Sequence, residues 1–246
     1  MSKITSNIST LEINNDIAVI TIENGKQNLL SIPEFIELDV LSESLRKNPQ
    51  VKALIITGSG RNFSYGADVS LFDTEDGSSL IGERLYKARK LLNYIEQLPI
   101  VTAAAINGGC FGGGLEVALS CQFRIASKKS ILGLPETSIG VIPGMSGIER
   151  LTRLIGKNKA IAMVLSGEML SSSDAFERGI VDMLSEDKNS FEDTVKFVRS
   201  LTDDRTAAQI RAVTEIANRA SDSVLPDISD DSFVKILSER AKNENE

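Results

Sequence analysis

The chain of 246 residues contains no histidine. That absence excludes Ser-His-Asp and Cys-His catalysis, metal sites built on imidazole, and haem ligation through histidine. General acid and base work therefore falls to Asp, Glu, Lys, Tyr or Cys. Cysteine is scarce as well. Cys110 and Cys121 are the only two, and they form no CxxC pair, which argues against a structural zinc site. Two thiols fit a reducing compartment, although residue identity alone leaves a disulfide between them open. Long apolar runs are missing too: stretches such as residues 100–106 fall far short of a bilayer span. The opening MSKITSNIST has no apolar signal core, so the expected location is cytoplasmic. Basic residues are in deficit, with net charge −7 and a pI of about 4.9. With no basic-aromatic cluster either, nucleic acid and anionic membranes are not expected partners.

What is present is an ordinary globular balance, 41% apolar and 25% charged, in a chain long enough for one large domain or two small ones. β-branched residues flank Asn14-Asn15-Asp16, which predicts a hairpin over residues 10–23. Residues 33–47 have helical spacing of Phe35, Ile36, Leu38, Leu41 and Leu45, with a proline near the start. Residues 51–57 and 100–106 read as short buried strands. Residues 80–98 read as a helix stopped by Pro99. An acidic, turn-rich stretch over residues 71–79 is expected to be mobile. Strands are expected at residues 122–126 and 130–133, and a last short one at 180–184. From about residue 145 the pattern turns mainly helical, with candidates at 156–165, 173–178, 190–201 and 206–220 and Gly179 as a closing glycine. The alternation makes the fold class α/β. No internal repeat is evident.

Four segments carry residues suited to chemistry. The first is Phe63-Ser64-Tyr65-Gly66-Ala67-Asp68, where a glycine turn can present backbone N–H groups, or where Asp68 simply caps a helix. In the second, residues 107–116, three consecutive glycines open a helix. Their N–H groups suit an oxyanion, or the run serves only close helix-to-sheet packing. It is neither a Walker A loop nor GxGxxG in register. The third is Leu134-Pro135-Glu136. Glu116 and Glu136 form an acid/base pair if both line one pocket, and otherwise a dipole partner and a loop acid. The fourth, residues 140–147, is not G-x-S-x-G, and a Ser146 nucleophile would lack its usual base, so a pocket-wall turn is expected.

Together, in this order, the four segments resemble the enoyl-CoA hydratase/isomerase (crotonase) superfamily over roughly residues 10–184. The resemblance includes Asn28 in KQNLLS and the run 160–182. It implies a crotonase-type spiral of ββα units with a helical C-terminal region: an acyl-CoA-binding core over residues 1–200 and a short helical segment, 201–246, for oligomer packing. It implies a homotrimer or dimer of trimers, an acyl-CoA thioester as partner, no metal, and no cofactor beyond the coenzyme A carried by the substrate. By resemblance, the backbone N–H groups of Ala67 and Gly113 form an oxyanion hole, and Glu116 and Glu136 are the catalytic glutamates. Lys26, Gln27, Asn28, Ser64, Gly66, Ala67, Asp68, Val69 and Gly113 hold the substrate and its CoA. Reversible hydration of a 2-enoyl-CoA is the leading expectation. The alternatives are a double-bond isomerase, a specialised biosynthetic member acting on a CoA- or carrier-bound thioester, and a silent acyl-CoA-binding scaffold. Tyr65, Leu29 and Ile148-Glu149 depart from the usual pattern.

Overall fold

The computed structural model describes residues 3–71, 77–186 and 189–220. It begins with three antiparallel strands, β1 (Lys3–Ser6), β2 (Ser9–Asn14) and β3 (Ile17–Ile22). The expected hairpin is β2–β3, turning at Asn15 with φ 56°. Helix α1 spans Leu38–Lys47 and leads to β4 (Ala53–Gly58). Helix α2 (Gly77–Glu96) leads to β5 (Val101–Ile106), then β6 (Gly109–Phe111) and α3 (Gly113–Leu119). There follow β7 (Phe123–Ser127), β8 (Ile131–Gly133), α4 (Gly147–Ile155), α5 (Lys157–Ser166), β9 (Met169–Ser171) and α6 (Ser172–Glu177). The last described elements are β10 (Met183–Ser185), α7 (Ser190–Thr202) and α8 (Ala207–Ala220).

One sheet runs in the order β1-β2-β3-β4-β5-β7-β10, and its later pairings, from β3 onward, are parallel. A small second sheet has the order β6-β8-β9. Both faces of the large sheet are covered, so its central strands β4 and β5 are buried at every position rather than alternating. In β4, Leu54 and Ile56 join the main core with α1, α2 and α3. Ala53 and Ile55 point the other way, toward Val198 of α7 and Ile210 of α8. In β5, Ala103 and Ala105 share that second face, where small side chains let α7 lie close. Both sheets and the flanking helices fit the expected α/β spiral.

Two readings need correction. Helix α1 begins at Leu38 rather than near Pro33, because Phe35 and Ile36 are both fully buried and neighbouring residues cannot share one helix face. The Phe35 carbonyl accepts from Ser9 Oγ at 2.8 Å, which holds this stretch in a bent, non-helical path. The glycine run also hides a strand, β6, paired with β8. Most of the acidic stretch, residues 72–76, and the polar tail within residues 221–246 lie outside the described residues. Of the C-terminal segment 201–246, the described part is helical through α8. Among the described residues no helix is long and apolar enough to cross a membrane.

Candidate active site

The loop after β4 and the loop after β5 are sewn together by backbone bonds. Phe63 N donates to the Asn107 carbonyl at 2.7 Å, and Phe111 N donates to the Ser64 carbonyl at 2.9 Å. On the other side, Tyr65 N reaches the Gln27 carbonyl at 2.9 Å and Leu30 N reaches the Gly66 carbonyl at 2.8 Å. The 63–67 loop is thereby held as an extra, irregular strand between residues 27–30 and β6, with bridges at Leu30–Ala67 and Ser64–Cys110. These bonds leave the N–H groups of Ala67 and Gly113 without a hydrogen-bond partner among the described residues. The chain enters α3 through Gly112, whose φ of 52° with ψ of −127° is a region only glycine adopts readily.

A cavity of about 310 Å³ opens here, lined by Ala67, Asp68, Val69, Gly113, Glu116 and Glu136 among the expected residues. Its other walls are mostly apolar, from Leu30, Ile81, Leu85, Val141 and Met145. The pairing of Glu116 with Glu136 in one cavity is the juxtaposition that sequence separation alone could not establish. Glu116 sits on the first turn of α3 and is 2% exposed. Its Oε1 accepts from Met145 N at 2.7 Å and from Gly147 N at 2.8 Å. Glu136 opens a 3-10 turn, Glu136–Ile139, just beyond β8. Gly112 N bonds the Gly133 carbonyl at 2.9 Å, so that turn is tied to the start of α3. Glu136 Oε2 is enclosed and has no hydrogen-bond partner among the described residues.

These surroundings raise both carboxyls. Burial pushes Glu116 up to about 7, against the pull of the Gly147 and Met145 N–H groups and the Arg150 charge. Burial pushes Glu136 up to about 8, and repulsion from Glu116 adds to the rise. Two donors stabilise a charged Glu116, whereas Glu136 has only a backbone hydrogen bond to favour its charge and its Oε2 has no partner among the described residues. At neutral pH the proton of the pair therefore resides on Glu136. Two buried carboxyls in unequal surroundings face a single cavity.

The remaining expected residues do other work. Asn28 is fully buried with φ 48°, and its Nδ2 donates to the carbonyls of Ser59 at 2.9 Å and Asn62 at 2.8 Å. Ser64 Oγ donates to the Asn28 carbonyl at 2.7 Å and accepts from Gly66 N at 3.1 Å. These two, with Gly66, shape the loop and are not part of the cavity wall. Lys26 and Gln27 are exposed. Lys26 borders a separate, wider groove of about 1180 Å³ with Arg61 and Lys129. Tyr65 packs edge-on to Phe111 with ring centroids 5.0 Å apart and lines both the cavity and the groove. Asp68 Oδ1 caps the turn that follows, accepting from Ser70 N at 3.2 Å. Residues 140–147 supply wall, as expected, through Val141, Gly144 and Met145. Their grip on Glu116 carried no sequence signal. The contribution of Ile81 and Leu85 was legible as an i, i+4 apolar pair on α2.

Asn28→Ala is expected to lower stability by about 2 kcal/mol, because buried carbonyls lose their donor and alanine resists a left-handed φ. Thermal unfolding checks this, and an unchanged midpoint would show that the bonds contribute nothing.

A family model described as Enoyl-CoA hydratase/isomerase matches residues 12–240. A probable enoyl-CoA hydratase of Bacillus subtilis (strain 168) is 39% identical over 185 residues, covering 74% of this chain and 70% of the relative. The peroxisomal fatty acid beta-oxidation multifunctional protein AIM1 of Arabidopsis thaliana is 37% identical over 179 residues, 71% of this chain but 24% of that protein. The crystal structure of an enoyl-CoA hydratase from Geobacillus kaustophilus HTA426 superimposes with a TM-score of 0.83 at 25% identity, covering 99% of this chain and 90% of the other.

Proposed function

The chain belongs to the enoyl-CoA hydratase/isomerase family, and from that premise we propose that it catalyses reversible hydration of a 2-enoyl-CoA. The observation that carries this reading is the pairing of Glu116 and Glu136, differently supported, in one largely apolar cavity. Water addition across a conjugated double bond needs a base for water and an acid for Cα. Glu116, ionised and fixed through Oε1, orients and deprotonates the water that attacks Cβ. Electron density shifts through the double bond onto the thioester oxygen, giving an enolate. The Ala67 and Gly113 N–H groups, without other partners among the described residues, stabilise that oxygen, and such a donor is worth about 3 kcal/mol of transition-state energy. Glu136 then gives its proton to Cα and regains one in the reverse direction. No group beyond the CoA of the substrate enters this scheme.

The apolar wall suits a hydrocarbon acyl chain, and Tyr65, packed on Phe111, forms part of that wall. The test is loss of the conjugated-enoyl absorbance of crotonyl-CoA. No change at saturating enzyme, with a 3-enoyl-CoA shifted to the conjugated form instead, would replace this reading with double-bond isomerisation. Binding of CoA thioesters without turnover of any would reduce the chain to a scaffold.

The acid and base roles also set a pH profile. Turnover should rise as Glu116 ionises near 7 and fall as Glu136 loses its proton near 8, leaving a narrow maximum between them. A kcat that keeps climbing above pH 9 would remove Glu136 from the acid role.

A further inference from the structure

Glu116 depends on a turn that the sequence gives no reason to fix. Its Oε1 receives two N–H groups, from Met145 and Gly147, on either side of Ser146. They converge on one oxygen because Ser146 adopts φ 67°, a left-handed conformation uncommon for serine. Such a turn persists only when its surroundings impose it. Here two arginines hold the carbonyl side. Arg89 Nε donates to the Gly144 carbonyl at 2.7 Å, and Arg150 Nη1 donates to the Met145 carbonyl at 2.8 Å.

Arg150 is 3% exposed and outside the cavity wall, so it does not touch substrate. Its other nitrogens bond Asn93 Oδ1 at 2.8 Å and Glu96 Oε2 at 3.1 Å. Arg89, Asn93 and Glu96 recur at i, i+4 and i+7 on one face of α2, so that helix is a rail along which the guanidinium is set. Glu96 is shared with Arg153 at 2.9 Å. A planar guanidinium meets three differently directed acceptors at once, which a lysine cannot do.

We propose that Arg150, with Arg89, is a positioning residue for Glu116: by holding the Gly144 and Met145 carbonyls, the two guanidinium groups fix the turn whose N–H groups aim Glu116 at the substrate. This rests on the hydratase reading for its kinetic consequence but not for its effect on Glu116 itself. The charged groups facing Glu116 are Arg150, Glu149 and Glu136, and those facing Arg150 are Glu96, Glu116 and Arg153.

The experiment follows the Glu116 carboxyl directly, by carbon-13 NMR of glutamate-labelled protein with Glu116→Gln for assignment, beside crotonyl-CoA kinetics. In Arg150→Met, loss of a positive charge and of ordered N–H donors should move the Glu116 titration up by about one pH unit. The kcat should fall about 30-fold with KM changed less than about threefold, as expected when orientation rather than binding is lost. Arg150→Lys keeps the charge, so its titration should stay near wild type while kcat recovers only in part. A folded Arg150→Met with an unmoved Glu116 titration and kcat within about threefold of wild type would overturn the proposal, since a packing role alone predicts only lower stability. If Arg150→Met does not fold, Glu96→Gln, which loosens one anchor, decides: kcat should fall about fivefold at constant KM, and an unchanged kcat overturns the proposal. Wild-type protein without hydratase activity would defeat the proposed function alone, because the NMR titration still reports on Arg150.

Discussion

Glu136→Gln should lower the kcat for crotonyl-CoA hydration by about 10³-fold while leaving thioester binding near wild type. Glutamine preserves the shape of the side chain but cannot hand a proton to Cα. Its amide brings no charge into an enclosure where Glu136 Oε2 has no partner among the described residues. The fold should not suffer, and linkage gives the sign. A carboxyl held at about 8 in the folded protein, against an ordinary value of 4.5, binds protons there that the unfolded chain has already released. Its burial therefore removes stability as pH rises from about 4.5 to 8, and glutamine abolishes that loss. The variant should be at least as thermostable as wild type at pH 8. Isothermal titration with a saturated acyl-CoA, beside stopped-flow turnover, separates the effects. Activity within tenfold of wild type would defeat the assignment of Glu136 as the acid.

Gly66→Ala should lower kcat by about 10²-fold to 10³-fold, the range expected when an oxyanion donor is displaced. Gly66 has φ 81°, and a methyl group there would fall 2.6 Å from the Phe111 carbonyl oxygen and 2.9 Å from Gly113 N. Both contacts are with backbone, so neither can swing away. Relief requires the 63–67 loop to part from the start of α3, moving the Ala67 N–H relative to that of Gly113. The same bonds that place the loop, Leu30 N to the Gly66 carbonyl and Gly66 N to Ser64 Oγ, are strained by that motion. A transition-state-like enolate mimic should lose more affinity than a saturated thioester. Equal losses for the two ligands would point to a general collapse of the cavity instead.

Much of this was legible in the residues because local and global demands agree. The Asn14-Asn15-Asp16 turn, the apolar strands β4 and β5, and the stop at Pro99 each follow from short-range rules. The glutamates and glycines were legible through their combination rather than singly. What escaped had tertiary causes. Phe35 and Ile36 imitate a helix in spacing, yet both neighbours are fully buried in the main core. Strand β6 is only three residues long and starts on a glycine, a poor strand former, and exists because Ser64 and β8 offer it partners. Strand β1 is short and polar. The clasp on Glu116 lies in backbone N–H groups, which every sequence has, so only the left-handed Ser146 makes them special.

The order of strands in the large sheet also bears on how the chain is made. From β1 through β10 the sheet order follows the order of synthesis, so each new strand can dock on an edge that already exists. The second face closes much later. Its lid is α7 and α8, tethered by Arg199 to Asp16 at 2.7 Å, across 183 positions, and by Lys52 to the Thr202 carbonyl at 3.2 Å. Without those two helices, Ala53, Ile55, Ala103 and Ala105 would lose the cover that Val198 and Ile210 give them. A chain holding the sheet but not yet α7 and α8 would carry one sticky side, the kind of surface a holding chaperone recognises.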